Sequence, residues 1–363
     1  MLANLLRPSS NKDLDPATYT LWHALDGIFL WKSGDPKAGL EAVLSGLKLS
    51  EKADYHIWDT LLYSGGTYCS ISLGHEAEAQ KYLKLTHESL VPDRLWDVAH
   101  YHYTIGRLYL HRGKTHESLE HCEAGLKVAI ASGSPYAEAL LRTTYAQALF
   151  QINQKEKAVA VNNIVLDLAE RIRAKNMLFI ALMSEAQFAF DMDNKTRGTK
   201  ALQAGFRIAR EQELISHAFW WSSIMPEMCV AALELNIETE FVRKVVRVQK
   251  LVPQKPPLHI TNWPWAVKIQ TLGAFRLIVN DESILLSGKA VKRPLELLKV
   301  IIALGGNQID QNKIIETLWP DAEGDSATQS LHTNLHRLRK ILGERALQLH
   351  SGYLSLDPRL VWV

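Results

Sequence analysis

Two different spacings of apolar and polar residues divide this chain. Up to about residue 250 the apolar positions recur at helical intervals in paired segments: residues 60–73 lead into 76–90, and 100–110 lead into 115–131. Gly34, Gly74, Gly113, Asn153 and Asn194 follow one another at intervals of 40, 39, 40 and 41 residues, each at a candidate turn. Four or five residues after each stands a small or hydroxyl residue: Ala38, Ala79, Ser118, Ala158, Thr199. A turn former followed by a small residue inside the next helix lets paired helices approach closely, unit after unit. The pattern predicts an α-helical solenoid over residues 1–250.

Beyond residue 264 the period shortens. Residues 267–273 and 275–279 alternate well enough to read as strands, Asn280-Asp281-Glu282-Ser283 is a turn cluster, and Ile284-Leu285-Leu286 reads as a third short strand. A helix follows, burying Leu295, Leu297, Leu298, Val300, Ile301, Ile302 and Leu304 and ending at Gly305-Gly306. Residues 311–319 form a short helix with Ile314, Ile315, Leu318 and Trp319 inward. In the next helix Leu331, Leu335, Leu338 and Leu342 fall on one stripe that must meet a core. Ser326, Gln329, Thr333, His336, Arg337 and Lys340 project from the other side, and no acid interrupts that face after Asp325. A hairpin signal at Ser351-Gly352-Tyr353 comes last. Between the two regions lies a linker, residues 251–264. Pro253, Pro256 and Pro257 predict an extended, semi-rigid course there, and Trp263 and Trp265 either pin the two parts together or cap the second core.

Helix, loop, basic helix and hairpin is the order of a winged helix-turn-helix, and three strands ahead of three helices mark its OmpR type. The fold expected is therefore mainly α: a solenoid of tetratricopeptide (TPR)-like repeats followed by an α+β winged helix at 265–363.

With 363 residues, 47% hydrophobic and 22% charged, the chain is long enough for two cores. Its formal charge of +2 rules out a polycation, so any affinity for DNA must come from local placement of charge. Cys69, Cys122 and Cys229 are too few and too scattered for a disulfide framework and suit a cytoplasmic protein. No signal peptide opens the chain and no apolar run approaches membrane-spanning length. No phosphate loop, dinucleotide fingerprint, zincin helix or nucleophile elbow occurs, so neither enzyme activity nor a cofactor is expected. His100, His102, His111, His116 and His121 cluster in sequence but lack acidic or cysteine ligands at a recognised spacing, Cys122 alone not supplying them, and read as surface or core histidines.

Thr271-Leu272-Gly273-Ala274-Phe275-Arg276-Leu277, Leu318-Trp319-Pro320-Asp321-Ala322, Leu335-His336-Arg337-Leu338-Arg339-Lys340-Ile341-Leu342 and Leu356-Asp357-Pro358 resemble the DNA-binding half of the bacterial transcription activators called SARPs. About the last hundred residues carry the resemblance. The repeats are similar to the TPR-like region of MalT-type regulators and of multidomain signalling ATPases that carry a SARP-like region. The resemblance implies a bacterial transcription regulator whose winged helix binds promoter DNA and whose repeats take a protein partner, an upstream domain or a second copy. RNA polymerase enters as a partner only through the family, whose helical activation domain would follow Val363. The alternative is a scaffold whose winged helix binds protein.

On the DNA reading, Gln329, Thr333, His336 and Arg337 meet base edges. By resemblance to OmpR-type domains, Lys313, Trp319, Asn334, Arg339 and Lys340 meet phosphates, while His350, Ser351 and Tyr353 form the wing. At the other end, Trp22–Trp31 gives an apolar helix with little polar relief, suited to docking.

Overall fold

The computed structural model describes residues 15–215, 224–284, 289–322 and 324–363, without the side chains of 289–291. The chain divides into two compact units, one holding the residues up to Met228 and Leu235–Gln249, the other Cys229–Glu234 and Lys250–Val363.

The first unit is built from ten consecutive helices packed in pairs: α1 (Pro16–Lys32) with α2 (Pro36–Ala53), α3 (Asp59–Leu73) with α4 (Glu76–Glu88), α5 (Leu95–His111) with α6 (Thr115–Ala131), α7 (Pro135–Gln151) with α8 (Lys155–Arg171), and α9 (Lys175–Asp191) with α10 (Lys195–Glu211). This arrangement is consistent with TPR-like repeats. α11 (Met225–Glu234) and α12 (Thr239–Val248) follow. Several starts are written locally. Asp15 and Asp35 accept hydrogen bonds from the backbone N–H of Thr18 and Ala38, both at 3.0 Å, and a proline occupies the first helical position.

The turns within the pairs repeat with one correction to the expected register. Gly34, Gly74, Gly113 and Asn153 adopt positive φ, but in the fifth pair the residue that does so is Asp193, and Asn194 is instead the N-cap, accepting from the N–H of Arg197 at 3.1 Å. Aspartate and asparagine are both short polar residues suited to the left-handed region, so the sequence alone does not separate them. With Asp193 in place the small residues also shift: the buried series is Gly39, Ala79, Ser118, Ala158 and Gly198, and the expected Ala38 and Thr199 lie one position off it. A Cβ at Gly39 would lie 2.8 Å from the Gly27 carbonyl oxygen, and one at Gly198 would lie 2.6 Å from the Phe190 ring. Helices cross too closely there for any larger residue. The connections between pairs carry a second set of left-handed residues that the sequence did not suggest: Gly133, Arg173 and Glu213, with φ of 65°, 55° and 52°.

Aromatic contacts tie the first helices of three pairs together. Trp31 stacks on Tyr68 with centroids 4.8 Å apart and donates its indole N–H to Ser72 Oγ at 2.8 Å. The Tyr68 hydroxyl in turn lies 3.1 Å from His100 Nε2 and 2.7 Å from Thr104 Oγ1.

In the second unit, residues 251–264 do not run extended. Successive turns close from Leu258 N–H to the Pro256 carbonyl, Ile260 to Pro257 and Trp263 to Ile260, and Trp263 and Trp265 are buried. Strands β1 (Val267–Gln270), β2 (Arg276–Val279) and β3 (Glu282–Ser283) form a meander, and β7 (Val361–Trp362) adds in parallel to β1, giving the order β3-β2-β1-β7. The β2–β3 turn is Asn280-Asp281, both at positive φ, so the third strand begins at Glu282; Leu285 and Leu286 lie outside the described residues.

Three helices follow: α13 (Lys289–Ala303), α14 (Gln311–Leu318) and α15 (Gly324–Leu342). α13 ends as its glycines require, with Gly306 N–H bonded to the Ile301 carbonyl and Gly305 N–H to Ile302. A second sheet, β4-β6-β5, pairs β4 (Ile309–Asp310) and β5 (Leu347–His350) with β6 (Tyr353–Leu356). One core joins these elements, including Ile269, Leu277, Leu298, Ile314, Leu331, Leu338 and Leu354.

Candidate nucleic-acid interface

α15 carries two opposed stripes with nearly the same spacing. Ala327, Leu331, Asn334, Leu335, Leu338 and Leu342 are buried, and Gln329, Thr333, His336, Arg337 and Lys340 are exposed. Each set steps by three and four residues, so each lies along one side of the helix. The period explains both the expected residues that hold their place and one that does not. Asn334 was expected to face phosphates, but it falls on the apolar stripe and is only 7% exposed. Its amide donates to the Ser330 carbonyl at 2.8 Å and its Oδ1 has no partner.

Arg339 flanks the two stripes. It is half-buried, and its Nε donates to the Leu347 carbonyl at 3.1 Å, tying α15 to β5. Trp319 caps the C-terminus of α14 and packs against the core, so its ring is not a free surface group. Lys313, by contrast, is exposed on α14. Among the described residues, the side chains of Lys313, His336, Arg337 and Lys340 have no ion-pair or hydrogen-bond partner in the protein. Thr333 donates its hydroxyl to the Gln329 carbonyl at 2.9 Å, leaving its oxygen able to accept. Arg339 and Lys340 also stand in the last turn, where the helix dipole favours positive charge. His332, exposed and four residues before His336, extends the same face and was missed by the sequence reading; the i, i+4 spacing was its signal.

The hairpin after α15 closes tightly. His350 pairs with Tyr353, and Ser351 and Gly352 between them have φ of 49° and 82°, the two positive values that a two-residue turn matched to strand twist demands. Ser351 and His350 are exposed, and Tyr353 is 51% exposed and not packed into the core. The neighbouring Arg359 is committed elsewhere, donating from Nε and Nη2 to the Asp357 carboxylate at 2.9 and 2.6 Å.

Of the histidines that cluster in the sequence of the first unit, His102 and His121 meet but the five do not gather into one group. His100 is enclosed by Tyr68 and by Trp96, stacked 4.8 Å away, and burial followed by the charges of Lys32 and Arg107 pushes its pKa down to about 4. His102 Nδ1 lies 3.1 Å from His121 Nδ1, and among the described residues no group of three or more His, Cys, Asp or Glu side chains is placed to hold a metal. Ser50, His56 and Asp59 do meet, with Ser50 Oγ donating to Asp59 Oδ1 at 2.5 Å and His56 Nδ1 2.8 Å from Asp59 Oδ2. Serine and carboxylate approach the same imidazole nitrogen and Ser50 is 1% exposed, so the trio fastens the α2–α3 turn and is not arranged for nucleophilic attack. Cys69, Cys122 and Cys229 are free and buried, and burial raises all three thiols, the first two to about 12. Among the described residues no helix is long and apolar enough to cross a membrane.

No protein-family model matches the sequence, and no curated protein matches it. Among solved structures the chain is similar to the apo form of RapI, with 10% identity over 93% of this chain and 78% of that one and a TM-score of 0.40.

Proposed function

We propose that the chain is a non-enzymatic transcription regulator of the SARP-like kind, in which an OmpR-type winged helix binds duplex DNA and the helical repeats take a protein partner. On this reading α14 and α15 are the helix-turn-helix, α15 enters the major groove, and the β5–β6 hairpin is the wing. The observation that carries it is the exposed stripe of α15. His336, Arg337 and Lys340 present side chains with no protein partner, beside Gln329 and a Thr333 hydroxyl oxygen still able to accept, on a rigid helix anchored by five apolar side chains. Uncompensated cations on such a face match phosphates and the acceptor edge of guanine.

A scaffold reading calls for apolar anchors on that face. Among the described residues, none of the exposed large hydrophobic side chains lies on α15; those of the second unit are Leu258, Leu272, Tyr353, Trp362 and Val363. Base contacts come from His336 and Arg337 with Thr333 and Gln329 in support, and phosphate contacts from Lys313 and Lys340. Asn334 leaves that set, and Arg339 contributes first to holding the hairpin against α15. A gel shift of the full chain on mixed-sequence duplex at low salt tests the proposal: retardation that weakens steeply with added salt supports it, and no retardation at any salt hands the α15 face to a protein partner.

A further inference from the structure

A cavity of about 290 Å³ opens between α8, α9 and α10. Val159, Phe188, Ala189 and Met192 give it apolar walls, and Asn162 lines it as well. Asn162 is 2% exposed. Its amide N–H donates to the Ala181 carbonyl at 2.9 Å, which fixes the orientation of the group, and its Oδ1 has no hydrogen-bond partner.

The repeat makes this asparagine anomalous. Four positions after the small residue of each pair stand Val43, Leu83, Cys122, Asn162 and Leu202, all between 0% and 5% exposed. Four of the five pairs bury an apolar side chain at this position, and the one polar member leaves an acceptor orphaned beside a cavity. A buried unsatisfied carbonyl is destabilising, and an apolar side chain there would remove the penalty. At the rim Glu185 and Arg197 pair with each other at 2.8 Å, and the third charged lining residue, Glu156, is exposed to solvent, so no buried charge calls for a charged ligand.

We infer that this cavity binds an uncharged, flat, largely apolar small molecule that donates one N–H or O–H to Asn162 Oδ1. The walls supply the hydrophobic contact and the orphaned oxygen supplies selectivity. Its volume suits one or two fused rings, at the low end of ligand pockets.

Indole and 1-methylindole share a ring body and differ in the one N–H, so they probe the asparagine directly. Saturation-transfer NMR and calorimetry on the full chain should show indole binding about fivefold or more tightly than 1-methylindole. Asn162→Leu places at this position the residue that Leu83 and Leu202 already provide, so the variant folds, and it should melt higher and lose the preference. Met192→Trp, at the exposed rim, should weaken both ligands. The inference is overturned if the two indoles bind equally or not at all, if the preference survives Asn162→Leu, or if Met192→Trp leaves both affinities unchanged.

Discussion

Arg337 and Lys340 stand three positions apart on the free face of α15, and on the DNA reading they do different work. A guanidinium can fork onto the acceptors of one guanine, whereas an ammonium is a point charge that any phosphate satisfies. Arg337→Ala should therefore cost about 1–3 kcal/mol on a selected site and relax the base preference at one position. Lys340→Ala should weaken every duplex alike and reduce the slope of log affinity against log salt by about one unit. Titrations of both variants across several salt concentrations separate the roles, and equal effects on specific and random duplex from both would remove Arg337 from base reading. Asn334 is the instructive neighbour. Its amide chemistry fits a phosphate contact, but its place three residues after Leu331 and four before Leu338 decides its direction, and periodicity outranks side-chain type.

At the scale of elements, the hairpin and the repeat turns each carry a test. His350 and Tyr353 close the Ser351-Gly352 turn through their backbones and not their side chains, so on the DNA reading His350→Ala with Tyr353→Ala should keep the fold while exposing the DNA beside the α15 contact to hydroxyl radicals. Unchanged protection would make the hairpin purely structural. In the first unit, Arg173 occupies the left-handed position that Gly133 fills 40 residues earlier. Arg173→Gly should gain about 0.5–1 kcal/mol in urea unfolding, because the Cβ strain it removes exceeds the entropy glycine loses.

These turns also show what the residues alone reveal. Gly34, Gly74 and Gly113 were legible because a glycine before a helix advertises positive φ. Asp193 was hidden because it and Asn194 are equally suited to the turn, and Arg173 and Glu213 were hidden because nothing in their chemistry favours it. The stripes of α15 and the hairpin turn were readable from local spacing. Strands β4 and β7 were not: each has two residues, and their partners in β6 and β1 lie far along the chain, so no local pattern encodes the pairing. The linker prolines misled in the same way, since a local preference for extension gave way to successive turns around buried tryptophans.

At the scale of the whole molecule, stability should depend on pH through the aromatic contacts that join α1, α3 and α5. His100 is held neutral with a pKa near 4, against about 6.5 for an exposed histidine. Between those values the unfolded chain binds a proton that the folded chain refuses, so stability falls as pH drops from 6.5 towards 4, by up to about 3 kcal/mol from this group. His102, also pushed to about 4 by burial followed by its neighbours His121 and His87, adds to the trend. Urea unfolding at several pH values should give a shallower dependence for His100→Gln than for the native chain, and an identical slope would show that His100 does not govern it.

On the proposed function, a chain of near-neutral charge binds specific DNA through one face of one helix. The most direct measurement is selection of duplexes by the full chain from a random pool, followed by sequencing. A short enriched motif that Arg337→Ala degrades at one base position is the predicted result. A pool that stays random after repeated rounds, or a motif indifferent to every substitution on the outward face of α15, would contradict it.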